Sequence, residues 1–367
     1  MRTCPRHRFL ISALFALLVT SAAMATTVQV GNCLPHLQAY STISQAVAAV
    51  APSSTIMVCP GNYPEQVAIL QPLTLIGVQS GNAANPTIVA PSGGLTKAVT
   101  TATGNVYYQL LADNVTFGAV NILNIAVNGS RNGLPDTAPL AGVFYNNTSG
   151  TVNHVAIFNQ IGTGVGFGLI AENSGSSAVS ISVLDSSIHD FDQEGISMDG
   201  NLSASIISNE IVTSTSFSGS SAPGGIVLYS SGRIGNNRVI THPQPPGISA
   251  GSGITVESNV IVANNTVENF SVGVWLLGDS NSVTSNKVLL AGGAVVIDGD
   301  KNDVEHNSLT NLPNGGTGIS FNCTGTGNTV IHNIVNDAYW GIVAPHGTNT
   351  LSPNTFTNVA NLVSPLC

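Results

Sequence analysis

Asp199, Tyr229, Glu257 and Trp275 lie in four successive short segments, each led by a glycine: Gly195, Gly225, Gly253 and Gly273. Counting from those glycines, the fourth residues are Asp199, Tyr229, Glu257 and Leu277, and the second residues are Ser197, Val227, Thr255 and Trp275. If the segments are strands, these even offsets share one face. The odd offsets, such as Ile196 with Met198 and Ile226 with Leu228, are apolar and belong to the other. Stacked strands lie about 4.8 Å apart, so Asp199 and Glu257, two segments apart, are expected roughly 9–10 Å from each other with Tyr229 between them. That spacing approaches the upper end for inverting glycosidases, in which one carboxyl protonates the leaving oxygen and the other activates water. Tyr229 and Trp275 offer flat apolar surfaces with a polar handle, which suits sugar stacking. Asp199 and Glu257 are therefore the candidate catalytic pair, and Tyr229 and Trp275 the candidate substrate platforms. The competing expectation is that all four decorate a solvated sheet face, since a fold by itself supplies no site.

Other chemistry-bearing clusters are weaker. His189-Asp190-Phe191-Asp192-Gln193-Glu194 gathers three acids and could hold calcium through oxygen ligands, but no EF-hand or nonapeptide calcium repeat accompanies it. A solvated turn is preferred there, as for Asp298, Asp300, Asp303 and Glu305. His306 and His332 fall at equivalent places and are expected to stack, although two imidazoles alone make a poor metal site. Calcium is the one cofactor left open.

The elements that position these residues announce themselves by repetition. Glycine-led aliphatic segments begin at Gly142, Gly166, Gly195, Gly225, Gly253, Gly273, Gly293, Gly318 and Gly341. Between them runs a second mark, Asn159, Ser186, Asn209, Asn237, Asn265, Asn286, Asn307, Asn333 and Asn354, recurring about every 24 residues as in solenoid repeats. Asn suits a bend because it tolerates the left-handed conformation, and stacked Asn side chains can bond to one another. One coil of short strands cannot bury its apolar face alone, so coils must stack around a shared core. The steps between Gly166 and Gly253 are the longest, and their extra residues, in Ser214–Gly224 and His242–Ser252, are expected to wall a cleft.

Composition agrees. Only 7% of the 367 residues are charged, against about 25% in ordinary domains, while 43% are hydrophobic. Aliphatic content excludes an acidic disordered chain, and the absence of a Gly-X-Y period excludes collagen. The net charge of −9 makes nucleic acid a poor partner and polyuronates poor unaided ligands. Arg2, Arg6 and Arg8, the apolar run from Phe9 to Val19 and Ala23-Met24-Ala25 read as a signal peptide over residues 1–25, so a secreted protein without an integral membrane segment is expected. The four cysteines beyond it, Cys33, Cys59, Cys323 and Cys367, read as disulfides in an oxidising compartment. Three connectivities stay open, the simplest joining Cys33 to Cys59 and Cys323 to Cys367. Thr42 and Gln45 have capping-box spacing ahead of a helix with Ile43, Ala46, Val47 and Val50 on one face, so residues 26–54 read as a cap. Residues 55–367 read as the solenoid, with Phe356, Val359, Leu362 and Val363 as a lid at the far end.

Residues 41–78 then carry a resemblance. They read STISQAVAAVAPSSTIMVCPGNYPEQVAILQPLTLIGV: a helix, a buried strand, the turn Gly61-x-Tyr63-x-Glu65, and a second strand. This resembles the N-terminus of the pectin-lyase-like right-handed parallel β-helix superfamily, especially pectin methylesterases and NosD-like proteins. The resemblance implies an all-β, single-domain right-handed parallel β-helix with a short N-terminal capping helix, in keeping with the right-handed rule for parallel crossovers. Gly61, Tyr63 and Glu65 are expected to serve structure at the first turn. The catalytic motifs of pectin methylesterases and polygalacturonases are missing, and Pro345-His346 lacks the Asp that mannuronan epimerases place before such a pair. The leading expectation is therefore a non-catalytic adhesion or scaffold protein. The alternative is a protein that binds and degrades a polysaccharide or cell-surface glycan, as hydrolase or lyase. A NosD-like periplasmic accessory is a minor third, because Met57 and Met198 are the only thioethers beyond the leader.

Overall fold

Leu169, Ile196, Ile226, Ile254, Val274, Val295 and Ile319 stand in single file, each paired in parallel register with the next and none exposed. Such a file forms when the chain returns to the same place once per lap with the same aliphatic residue. The computed structural model describes residues 24–79, 85–101, 104–135, 137–162, 165–214, 223–242, 251–312, 315–322, 325–344 and 347–365. Their 34 strands join one continuous sheet that winds as a right-handed parallel β-helix. Each lap contributes three strands, for example Val260–Ala263, Thr266–Glu268 and Val272–Leu276, with Val262, Val267 and Val274 all pointing into one core. No described helix is long and apolar enough to cross a membrane.

Two kinds of position shape each lap. The first is the glycine column, Gly142, Gly168, Gly195, Gly225, Gly253, Gly273, Gly318 and Gly341. A Cβ at Gly195 would collide with Ile211 and Phe191, and one at Gly273 with Val288, because a β-branched residue from a strand later in the chain packs directly against the glycine backbone there. Ala294 fills the column in the lap whose facing residue is Leu309, which lacks the methyl branch at Cβ that Val267, Val288 and Val335 carry. The expected marks at Gly166 and Gly293 are therefore displaced: Gly166 pairs with Leu140 and Gly293 with Val272, leaving Gly168 and Ala294 in the column.

The second is the asparagine ladder. Asn265 Oδ1 accepts from both the backbone N and Nδ2 of Asn237, each at 2.9 Å, while Asn265 Nδ2 donates to Ile234 O at 3.0 Å. The same pattern carries the ladder from Asn354 through Asn333, Asn307 and Asn286 to Asn209 and Ser186. Residues just before the rungs, including Ser208, Asn236, Asn264, Ser285, His306 and His332, take the left-handed conformation, so the bend belongs to them and the ladder Asn is freed to stack. Asn159 is not a rung; it bonds Asn128, and Val155 occupies the place expected for it. A second ladder, Asn281–Asn302–Asn328–Asn349, lines another corner and escaped the repeat pattern.

At the N-terminal end, the helix Ile43–Ala49 buries Ile43, Ala46 and Val47 on the core, and Thr42 accepts from Gln45 N at 3.1 Å. Glu65 serves the same helix, its carboxylate accepting from the backbone N of Ile43 (2.8 Å) and Ser44 (2.9 Å), while Tyr63 donates to Cys59 O at 2.6 Å. A disulfide joins Cys33 to Cys59; Cys323 and Cys367 lie outside the described residues, as do residues 1–23 and Pro345-His346. Thr355–Pro365 does not fold over the far end as a lid. It adds one more rung, paired in parallel with Ile334–Ala344, and leaves Leu362 and Val363 half exposed.

Candidate functional site

Three columns of side chains point outward from the sheet that carries Asp199. The first holds Tyr108, Ala141, Phe167 and Glu194. The middle one runs Ala68, Leu111, Phe144, Ile170, Ser197, Val227, Thr255, Trp275 and Val296. The third runs Asp113, Asn146, Glu172, Asp199 and Tyr229, and backbone hydrogen bonds carry it on through Glu257, Leu277 and Asp298. Its members therefore follow one another at about 4.8 Å per coil. A register shift between Asp199 and Ser203 ends the outward run beside the acid, a common place for a bulge.

The early coils of this face are roofed. Ala98–Thr101 pairs antiparallel with the start of Gly104–Asp113, and this hairpin lays Val99 and Val106 over Leu111, Phe144, Ile170 and Phe167. Beyond the roof the face opens into two adjoining depressions of about 380 and 410 Å³ that share Gln193, Glu194 and Tyr229. Glu172, Glu194, Ser197 and Asp199 line the first with Tyr229; Glu194, Val227, Tyr229, Ser252, Thr255 and Trp275 line the second. The result is one open trough with a carboxylate end and an aromatic end.

The sequence-predicted site residues thus come together unevenly. Asp199 and Tyr229 share the first depression and Tyr229 and Trp275 the second, while Glu257 stands exposed next to Tyr229 in the third column and lines neither. Trp275 donates its indole N–H to Asp298 at 2.8 Å. The loops expected to wall the cleft lie mostly outside the described residues, over 215–222 and 243–250.

Two acids not assigned to the site by sequence belong to it. Glu172 was displaced from its column once Gly166 rather than Gly168 was taken as the marker. Glu194 was grouped with the acidic turn before it. That turn does not converge: Asp190 faces His189 Nδ1 at 2.7 Å, fully buried Asp192 accepts from the backbone N of Gly166 (2.7 Å) and Gly162 (2.9 Å), and Glu194 lines the trough. Among the described residues no group of three or more His, Cys, Asp or Glu side chains is placed to hold a metal ion. His306 and His332 stack with ring centroids 4.9 Å apart.

Electrostatics separate the trough acids. Burial pushes the Glu194 carboxyl above the ordinary carboxylate range, partly countered by a hydrogen bond from Ser197. Burial also raises Glu172, with the neighbouring charge of Asp199 adding to it. The Tyr229 hydroxyl is raised by burial first and then by Glu194, Asp199 and Glu257, so it stays protonated as a hydrogen-bond donor. Half-buried Glu194 thus has a raised carboxyl and lines the same depression as solvent-exposed Asp199. No Lys, Arg or His among the described residues lines either depression.

Comparison with known proteins agrees with the architecture. Residues 195–356 match the family described as right handed beta helix region. No curated protein matches the chain. Among solved structures, the chain is similar to a GH136 lacto-N-biosidase from Eubacterium ramulus, with TM-score 0.58 and 12% identity over 90% of this chain and 68% of that one. It is similar to the Dettilon tailspike protein, with TM-score 0.60 and 16% identity over 87% of this chain and 64% of the tailspike, so it spans less than two thirds of that protein. It is also similar to DFA-IIIase from Arthrobacter chlorophenolicus A6, with TM-score 0.56 and 14% identity over 89% of this chain and 97% of that one. At these identities the likeness is one of fold. Parallel stacking throughout the described core, the family match over residues 195–356 and these neighbours agree on one fold, the right-handed parallel β-helix.

Proposed function

We propose that this is a secreted glycan hydrolase that takes an uncharged oligosaccharide or polysaccharide along the trough. The observation that carries the reading is Glu194: a carboxyl that burial raises above the ordinary range and that lines both depressions, the first with Asp199 and Tyr229 and the second with Tyr229 and Trp275. Glu194 donates its proton to the glycosidic oxygen as the bond to the anomeric carbon breaks. Asp199, as general base, takes a proton from the water that attacks that carbon, leaving two sugar products and exchanged protonation on the two acids. Tyr229 and Trp275 stack on the sugar rings, and Ser197, Ser252 and Thr255 offer hydroxyls to theirs. A lyase acting on uronates is disfavoured, because the lining acids repel such a chain and no lining cation among the described residues offsets them. The disulfide fits an oxidising compartment, and the same fold serves a lacto-N-biosidase. These points favour the glycan reading over a non-catalytic scaffold.

The test is a panel of neutral and acidic glycans assayed for new reducing ends. Wild type is expected to cleave a neutral member, and Glu194→Gln and Asp199→Asn to lose turnover while melting normally. Release of no reducing ends from any glycan by wild type would remove the hydrolase reading, and binding without cleavage would leave a glycan-binding solenoid.

A further inference from the structure

We infer that Asp298 is a positioning residue for the aromatic end of the trough: its carboxylate anchors the Trp275 indole and so presets that ring as a sugar platform. The inference rests on the glycan reading above. Trp275 stands in the middle column between Thr255 and Val296, whereas Asp298 stands in the third column one coil further on. A hydrogen bond of 2.8 Å between them therefore ties the edge of the indole diagonally across the sheet. An aromatic ring anchored at its body by Cβ and at its edge by a charged acceptor cannot turn about χ2, so the surface it shows the trough is held before a ligand arrives. A ligand then pays no ordering cost for that side chain, and a carboxylate is a stronger acceptor for the N–H than a neutral group. Asp298 thereby differs from Glu172, Glu194 and Asp199, which line the trough itself.

Three variants test this, Asp298→Leu, Asp298→Asn and Trp275→Phe, together with the double variant Asp298→Leu/Trp275→Phe. Loss of a charge-assisted hydrogen bond corresponds to roughly tenfold in an equilibrium, so Asp298→Leu is expected to weaken binding of the best neutral oligosaccharide by about that factor. Asp298→Asn, which keeps an acceptor oxygen, should stay within about twofold. Near-ultraviolet circular dichroism of the sugar-free protein should lose tryptophan signal in Asp298→Leu but keep it in Asp298→Asn. In the Trp275→Phe background, Asp298→Leu should have no further effect on binding, which separates anchoring from any other role of the carboxylate. Unchanged dichroism and unchanged affinity in Asp298→Leu would overturn the inference, as would an equal loss in the Phe background. A changed dichroism signal in a protein that binds no glycan would keep the anchor and discard both its platform role and the glycan reading.

Discussion

One sheet of this solenoid shows two outward faces built on the same three columns. Under the hairpin, the middle column reads Leu111, Phe144 and Ile170, all buried; past it, the column reads Ser197, Val227, Thr255 and Trp275, and Tyr229 joins a third column that is acidic in both halves. The inward column Val143, Leu169, Ile196, Ile226 and Ile254 stays aliphatic across the boundary, while its neighbour passes from Ala112, Tyr145 and Ala171 to Met198, Leu228 and Val256, apolar on both sides. Between the middle and third columns side chains alternate between faces, so the outward residues can change while the inward ones stay apolar. A second contrast runs with the first. The corner position is Ile125 and Val155 beneath the roofed coils, then Ser186 and the Asn ladder beneath the open ones. The roofed coils gain an extra apolar cluster, and the open coils gain a hydrogen-bonded spine in its place.

Four substitutions sharpen that contrast. Phe144→Ala, in the roofed half, should cost about 3–5 kcal/mol in denaturant unfolding, the usual price of emptying a buried aromatic site. Asn265→Ala, in the open half, should cost about 1–3 kcal/mol by stranding Asn237 and the Ile234 carbonyl. Hydrogen exchange should place that loss in the laps flanking Asn265 and spare the roofed coils; uniform loss along the rod would deny the two halves separate stability. Glu194→Gln should change stability in a pH-dependent way. The carboxyl is raised on folding, so its contribution is full below its ordinary value of 4.5 and is lost as pH climbs through the raised value. The melting temperature of the variant relative to wild type should therefore rise between pH 4 and pH 8, and a flat difference would mean the carboxyl is not buried. Ser197→Ala should be smallest, within about 0.5 kcal/mol. It should move the descending limb of the pH–activity profile to higher pH, since Ser197 is the group that lowers Glu194.

The parallel solenoid, the capping helix and the alignment of Asp199, Tyr229 and Glu257 were legible because each rests on a period in the chain. What escaped lies where the period is ambiguous or broken. Residues 166 and 168 are both glycine, and only the collision partners of Gly168, Ile188 and the next coil's Gly195, show which of them occupies the column. That two-residue slip hid Glu172. Gly293 beside Ala294 posed the same ambiguity, resolved by the shape of Leu309. Glu194 precedes its glycine rather than following it, so no offset along the strand reported it. Among the described residues the pairing of Ala98–Thr101 with Gly104–Tyr107 is a single antiparallel event in a parallel sheet, and a repeat search is blind to what occurs once.

The central claim is that the opening beyond the hairpin, between Glu194 and Trp275, is where a sugar chain lies. A crystal structure of the Glu194→Gln protein soaked with the tightest-binding neutral oligosaccharide tests it most directly. Sugar rings stacked on Tyr229 and Trp275, with a glycosidic oxygen within hydrogen-bond reach of residue 194, are the predicted result. Sugar bound on another face of the solenoid, with the trough holding only solvent, would contradict the account.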